Sequence, residues 1–219
     1  MTIANDKDAH FNMAYQQIRP WDVWDDRVLD IMMDLPREQF VPLAYRSLAF
    51  ADTRIPLGHG QVMMEPRLEA RMLQSLAIQP DDQILEIGTG SGFVTACLAT
   101  LGNTVTSYDI HDAFIQTAAE KLSLQGIGNA HLQLGNAFSA ELPAEGFDAI
   151  AVTGSLSQYS DHLERLLSPG GRLFMIVGTS PVMEAMLVTR RGDEFIQDHL
   201  FETDLPSLEL LPQVSGFSF

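Results

Sequence analysis

The sequence predicts an α/β protein built on a doubly wound, mostly parallel sheet with an N-terminal helical segment. Three observations carry this. The run Ile84-Leu85-Glu86-Ile87-Gly88-Thr89-Gly90-Ser91-Gly92 reads as a buried strand entering a glycine-rich turn, with a helix over Phe93–Leu101 behind it. From Gln83 onward, short apolar strands alternate with helical stretches. An acid, Asp109, closes the second strand about 20 residues past the turn, where such folds carry a ligand-binding carboxylate.

The elements follow in order. Residues before about Asp8 are polar and expected to fray. A helix is predicted over Ala9–Ile18 and stops at Arg19-Pro20-Trp21, because proline cannot extend it. A second spans Asp25–Met33, capped by Asp25 or Asp26, with Val28, Leu29, Met32 and Met33 as its apolar stripe. Trp21 and Trp24 are expected in core or lid packing. Leu35–Pro42 is a turn or short helix. Ala51–Pro66, rich in glycine and proline, reads as a long ordered loop, a type that commonly carries function. Proline in the first turn opens a helix over Pro66–Leu76.

The strands expected beyond are Gln83–Ile87, Thr104–Tyr108, His131–Leu134, Ala149–Thr153 and Gly171–Val177. The helices between them are Phe93–Leu101, Asp112–Gln125 and Gln158–Leu167. Right-handed crossovers then give a parallel sheet. A helix over Pro181–Leu187 and a hairpin of Leu187–Arg191 and Glu194–Glu202 complete the chain. Residues 1–80 thus form the helical segment and a loop, and residues 81–219 the sheet domain.

The composition narrows the function classes. Hydrophobic residues make up 46% of the 219, enough for a sizeable core. No apolar run suits a membrane span or a signal peptide. The single Cys97 allows no internal disulfide, which fits a cytoplasmic compartment, and its apolar helix marks it as a core residue. A formal net charge of −16 argues against nucleic acid and anionic membrane as partners. The six histidines show no metal-ligand spacing, so no metal is expected. The oligomeric state is not legible.

The turn decides the ligand class. A dinucleotide turn is G-x-G-x-x-G, whereas this one is G-x-G-x-G with Phe93 where the third glycine would stand. Glu86, two residues before Gly88, disfavours an anion and suits a cationic or zwitterionic ligand. The Glu-x-Gly-x-Gly-x-Gly run is similar to the first motif of class I S-adenosylmethionine methyltransferases, which hold the methionine part of S-adenosyl-L-methionine beside it.

Further segments resemble the protein-L-isoaspartate O-methyltransferase family: Leu35-Pro36-Arg37-Glu38-Gln39-Phe40-Val41-Pro42, Arg54-Ile55-Pro56-Leu57-Gly58-His59-Gly60-Gln61, Phe147–Thr153 and Leu167–Leu173. The resemblance implies a Rossmann-like methyltransferase fold and methylation of isoaspartyl carboxylates in damaged proteins, the start of their repair. It also implies cofactor contacts at Glu86, Gly88, Thr89, Gly90, Ser91, Gly92, Asp109, Ile110, Asn136, Ala137 and Thr153. Three departures stand out. The family follows Gly-Gln with Thr-Ile-Ser, whereas this chain reads Val62-Met63-Met64, so Met64 takes the serine position. Asn136 replaces the family's adenine-side acid, and its amide can still bond adenine. The tail Phe201-Glu202-Thr203-Asp204-Leu205-Pro206 does not match the family's substrate edge.

A carboxylate acceptor needs no general base, so catalysis can rest on alignment and exclusion of water. The candidate catalytic residues are His59, Gln61 and Met64, with Glu65 as a weaker base than His59. The alternative acceptor is a small or apolar molecule, served by Val62, Met63 and Met64. The alternative of another class is a cofactor-binding protein that recognises a partner without turnover. Ala51–Pro66, with part of the N-terminal region, is expected to close over the cofactor and form the acceptor pocket.

Overall fold

The computed structural model describes residues 3–209, with side chains from Asp8 onward. The chain enters as α1 (Ile3–Asn12), continues as a π-helical stretch (Met13–Ile18) and tightens into a 3-10 turn (Arg19–Trp21). The helix therefore begins before Asp8, where fraying was expected. Asp22, at φ 60°, ends it. Helix α2 (Asp26–Asp34) starts at Asp25, whose carboxylate accepts the backbone N–H of Arg27. Its apolar stripe includes Val28, Leu29 and Met32, all buried.

Short α3 (Arg37–Phe40) and a 3-10 turn (Leu43–Leu48) lead into a two-stranded hairpin, β1 (Ile55–Gly58) and β2 (Gln61–Met63). This hairpin lies inside the stretch read as loop. Its turn has positive φ at Gly58, His59 and Gly60. Helix α4 (Pro66–Leu76) follows, with proline at its start as expected.

The sheet strands are β3 (Gln83–Ile87), β4 (Thr104–Asp109), β5 (Ala130–Leu134), β6 (Phe147–Leu156), β7 (Leu167–Thr179), β8 (Val182–Arg191) and β9 (Glu194–Thr203). Helices α5 (Phe93–Leu101) and α6 (Asp112–Leu124) and the short α7 (Asp161–Glu164) lie between them. The order across the sheet is β5-β4-β3-β6-β7-β8-β9, parallel from β5 through β7 and antiparallel at β8 and β9. The chain leaves β3 towards β4 on one side and returns to β6 on the other. That reversal opens a crevice at the carboxyl ends of the strands.

Two expectations fail here. The predicted helix Pro181–Leu187 is part of β8, which pairs with β7 from Thr179↔Val182 to Arg172↔Thr189. The predicted helix Gln158–Leu167 shrinks to α7, because Leu167 already pairs with Phe147 in the sheet. The core divides across the sheet. Ile84 packs with Phe93, Leu73 and the N-terminal helices, whereas Leu85 and Ile87 pack with Ile150, Val152 and Leu173. Alternation along β3 therefore puts Glu86 on the α5 side, with Ile84.

Candidate active site

The glycine turn is forced open by its neighbours. Gly88, Gly90 and Gly92 have φ of +104°, +50° and +83°, a region that disfavours other residues. A Cβ on Gly88 would lie 2.3 Å from Thr153 Oγ1, and one on Gly92 would lie 2.9 Å from the Ala118 Cβ. Gly88 thus lets β6 approach the turn, and Gly92 lets α6 approach α5. Thr153 Oγ1 sits 2.9 Å from the Ile87 carbonyl oxygen and 2.5 Å from that of Gly88.

Asp109 pins the turn to β4. Its Oδ2 accepts the Gly90 N–H and its Oδ1 the His111 N–H, each at 2.9 Å. Each oxygen keeps a further lone pair for a ligand hydroxyl. Glu86 has a different place from the one expected. It is fully buried beneath the turn and is not part of the cleft wall. Its Oε2 accepts from Thr95 Oγ1 and Ser107 Oγ at 2.5 Å each, and Ser107 Oγ lies 2.6 Å from Thr89 Oγ1. Burial pushes the Glu86 carboxyl up to about 8, against the two hydroxyl bonds that favour its anion. Its Oε1 has no hydrogen-bond partner among the described residues.

The hairpin and α4 contribute another part of the cleft wall, Leu57, Gln61, Val62, Met63 and Glu69. Arg37 is fully buried and reaches three partners: Ala49 O from Nε at 2.9 Å, Glu69 Oε2 from Nη1 at 2.5 Å and Met64 O from Nη2 at 2.8 Å. Its guanidinium carbon lies 4.8 Å from the Phe93 ring centroid. The Met64 backbone is therefore fixed from below, and its side chain is 3% exposed on the cleft wall. Gln61 Nε2 donates to Ser207 O at 3.4 Å.

Gln61, Met64, Gly88, Thr89, Gly90, Ser91, Asp109, Ile110, Asn136, Ala137 and Thr153 all border one cleft. Of the expected residues, His59, Glu86 and Gly92 do not border it. His59 is at the hairpin tip, exposed, with its ring stacked on His111 at 4.1 Å and edge-on to Phe114 at 5.5 Å. Asn136 Oδ1 accepts the Phe138 N–H at 3.0 Å. Glu65 bonds Arg54 at 3.0 Å. Trp21 and Trp24 are 49% and 63% exposed, stacked with Arg67 and Arg19 rather than packed in the core.

Sequence reasoning missed the tail. Ser155 N–H donates to Pro206 O and Leu208 N–H to Ser155 O, each at 3.0 Å, so residues 206–208 run along the end of β6. Leu208 and Glu209 then border the cleft, and Glu209 Oε2 lies 3.6 Å from His111 Nε2. Glu69 and His111 were also missed, since nothing in their local sequence marks a site. Among the described residues no group of three or more His, Cys, Asp or Glu could hold a metal ion, and no helix is long and apolar enough to cross a membrane.

This sheet order, with a glycine cradle and an acid at the next strand end, defines a class I methyltransferase. The fold matches a Plasmodium falciparum structure described as a protein-L-isoaspartate O-methyltransferase in complex with S-adenosyl-L-homocysteine, with a TM-score of 0.78 at 22% identity over 91% of this chain and 98% of that one. Sequence comparison is more specific. The family pattern for protein-L-isoaspartate(D-aspartate) O-methyltransferase matches residues 12–205. The protein-L-isoaspartate O-methyltransferase of Methylorubrum populi is 33% identical over 88% of this chain and 91% of its own length. That of Opitutus terrae is 36% identical over 83% of this chain and 78% of its own. The chain belongs to the protein-L-isoaspartate(D-aspartate) O-methyltransferase family. It is an S-adenosyl-L-methionine-dependent methyltransferase.

Proposed function

We propose that the chain methylates isoaspartyl carboxylates of damaged proteins slowly, through an acceptor side rebuilt around Met64. The observation that carries this is the place of Met64. It is buried on the wall of the cleft that the glycine turn also borders, held through its carbonyl by Arg37, and offers no hydroxyl. A thioether is only a weak acceptor and donates nothing to a carboxylate.

The residues present fit the cofactor. Gly88 and Gly90 border the cleft together with Asp109, whose oxygens can accept ribose hydroxyls. Thr89, Ser91, Ile110, Asn136, Ala137 and Thr153 would surround the rest. When bound, S-adenosyl-L-methionine supplies an electrophilic methyl group. The chain contributes position and dryness: Met64 and Val62 exclude water, Gln61 ties the hairpin to the tail, and Leu208 brings apolar surface to the cleft beside Gly88. Glu86 acts from below by holding Ser107 and Thr95. A cytoplasmic setting suits a chain with the single thiol Cys97.

A second reading is supported by the apolar wall of Leu57, Val62, Met63, Met64 and Phe114, which suits a less polar acceptor. Labelled cofactor, an isoaspartyl peptide and a cell extract separate the two. Label on the peptide, enhanced about 10²–10³-fold by Met64→Ser if a transition-state hydrogen bond is restored, favours the first. Native transfer to the peptide at an ordinary family member's rate contradicts the altered acceptor side. Label only on a small molecule of the extract favours the second.

A further inference from the structure

The two edges of the sheet differ. At one edge β9 carries Glu194, Asp198 and Glu202, all exposed, and charges of this kind keep an edge from pairing with another chain. At the other edge β5 reads Ala130-His131-Leu132-Gln133-Leu134, with no acid, lysine, arginine or proline. Its backbone groups divide between two sides. β4 pairs with it in parallel, Val105 opposite Ala130 and Asp109 opposite Leu134. The Val105 N–H donates to Asn129 O and the Gly135 N–H to Asp109 O, each at 2.9 Å. Bonding alternates along a parallel ladder, so Asn129, His131, Gln133 and Gly135 serve β4. Ala130, Leu132 and Leu134 turn their N–H and C=O groups to the open side, where no strand pairs among the described residues.

The ground beside this edge is uncharged as well. The groove between α6 and β5 is lined by Ile115, Ala119, Leu122, Ile127 and Leu132 among others, and by no Asp, Glu, Lys or Arg. Leu124 and Leu134, each one residue past a lining residue, are 79% and 56% exposed. Two copies of a chain with a net charge of −16 repel one another over most of their surface, and approach is least opposed where neither presents charge. We propose that β5 is the contact between two copies of this chain, paired antiparallel about a two-fold axis at Leu132. The three outward residues set that register. Ala130 meets the partner's Leu134, Leu132 the partner's Leu132 and Leu134 the partner's Ala130, with about six backbone hydrogen bonds between the strands. A small side chain then stands opposite a large one at each end. On the other face His131 stands opposite the partner's Gln133. A second copy is the occupant because the edge is its own complement in hydrogen bonding and in charge. The contact is isologous, so it closes at two copies. One strand pair and a short groove make a small interface, so dimerisation is expected at about 10–100 µM.

Sedimentation velocity between about 5 and 500 µM tests this. The native mass should rise from one chain towards two. His131→Lys with Gln133→Lys places lysine opposite lysine twice, at pairs that exchange no hydrogen bond and so lie closest, and should hold the chain monomeric. His131→Glu with Gln133→Glu should do the same. An equimolar mixture of the two variants should dimerise again, because each lysine then meets a glutamate. Saturable binding of S-adenosyl-L-homocysteine shows that both variants are folded. In the native protein, hydrogen exchange at the Ala130, Leu132 and Leu134 N–H groups should slow as concentration rises, whereas His131 and Gln133, already bonded to β4, should not change. A native protein that stays one chain over the whole range overturns the proposal, as does dimerisation kept by either variant alone or a mixture that stays monomeric. Should the variants fail to fold, native mass and exchange decide it: doubling of the mass without slower exchange at Ala130, Leu132 and Leu134 puts the contact elsewhere, and the proposal fails.

Discussion

Asp109 and Glu86 are both acids of the glycine-turn region, yet they do different work. Asp109 borders the cleft and holds two backbone N–H groups, so Asp109→Ala should weaken S-adenosyl-L-homocysteine binding by about 1.5–3 kcal/mol in calorimetry. An unchanged affinity would remove it from the ribose side. Glu86 should instead shape stability. Its native carboxyl is pushed up to about 8 from 4.5, so the native state keeps a proton that the unfolded chain releases in between. The stabilisation is full below the unfolded value and is lost as pH rises through the native one. Glu69 adds to it with the same sign. Urea midpoints should therefore drop between about pH 5 and 8, and Glu86→Gln should flatten the drop. A midpoint that climbs over that range contradicts this. Asp109 was legible because its strand-end position is itself the signal. The direction of Glu86 was not, since it depends on which face of β3 meets α5. The place of Met64 on the cleft wall was legible only against the flanking Gly60-Gln61 and Pro66.

Arg37 joins three elements, α3, α4 and the strand end at Met64, through one guanidinium. Arg37→Met would leave Glu69 buried without its partner. Breaking such a pair costs about 3–5 kcal/mol, so a large fall in the urea midpoint is expected. Arg37→Met with Glu69→Leu should recover much of it, because apolar replacement of both partners is often neutral. If the double variant is no better than the single, the loss has another origin. The central strands were legible because β3 and β6 are buried on both faces and read as continuous apolar runs. The final hairpin was legible too, Glu194–Glu202 becoming β9, and only the first half of β8 was harder. Met183, Glu184, Ala185, Met186 and Leu187 are good helix formers, and pairing along the whole of β7 overrides that preference. The β1–β2 hairpin carried a local signal in Gly58-His59-Gly60, which was outweighed by the prolines around it.

At the scale of the whole molecule, the cleft is closed by segments far apart in sequence. The hairpin tip meets β4's end through His59 and His111, and the tail meets both through Gln61–Ser207 and Glu209–His111. Truncation after Thr203 should speed hydrogen exchange in β1 and β2 and weaken S-adenosyl-L-homocysteine binding, with the parallel strands still protected. Equal loss of protection throughout would mean that the tail supports the fold rather than the cleft. The wide spread of these segments also bears on synthesis. Among the described residues the cleft wall runs from Leu57 to Glu209, while β3 cannot pair with β6 until β4 and β5 have been made. A nascent chain ending before Glu209 lacks part of that wall, and such non-local pairing makes folding slow. Ligand binding is thus a report on a finished chain. A destabilising change anywhere in the sheet will read as lost affinity, because only the folded fraction binds, and added ligand will draw partly unfolded molecules back by mass action.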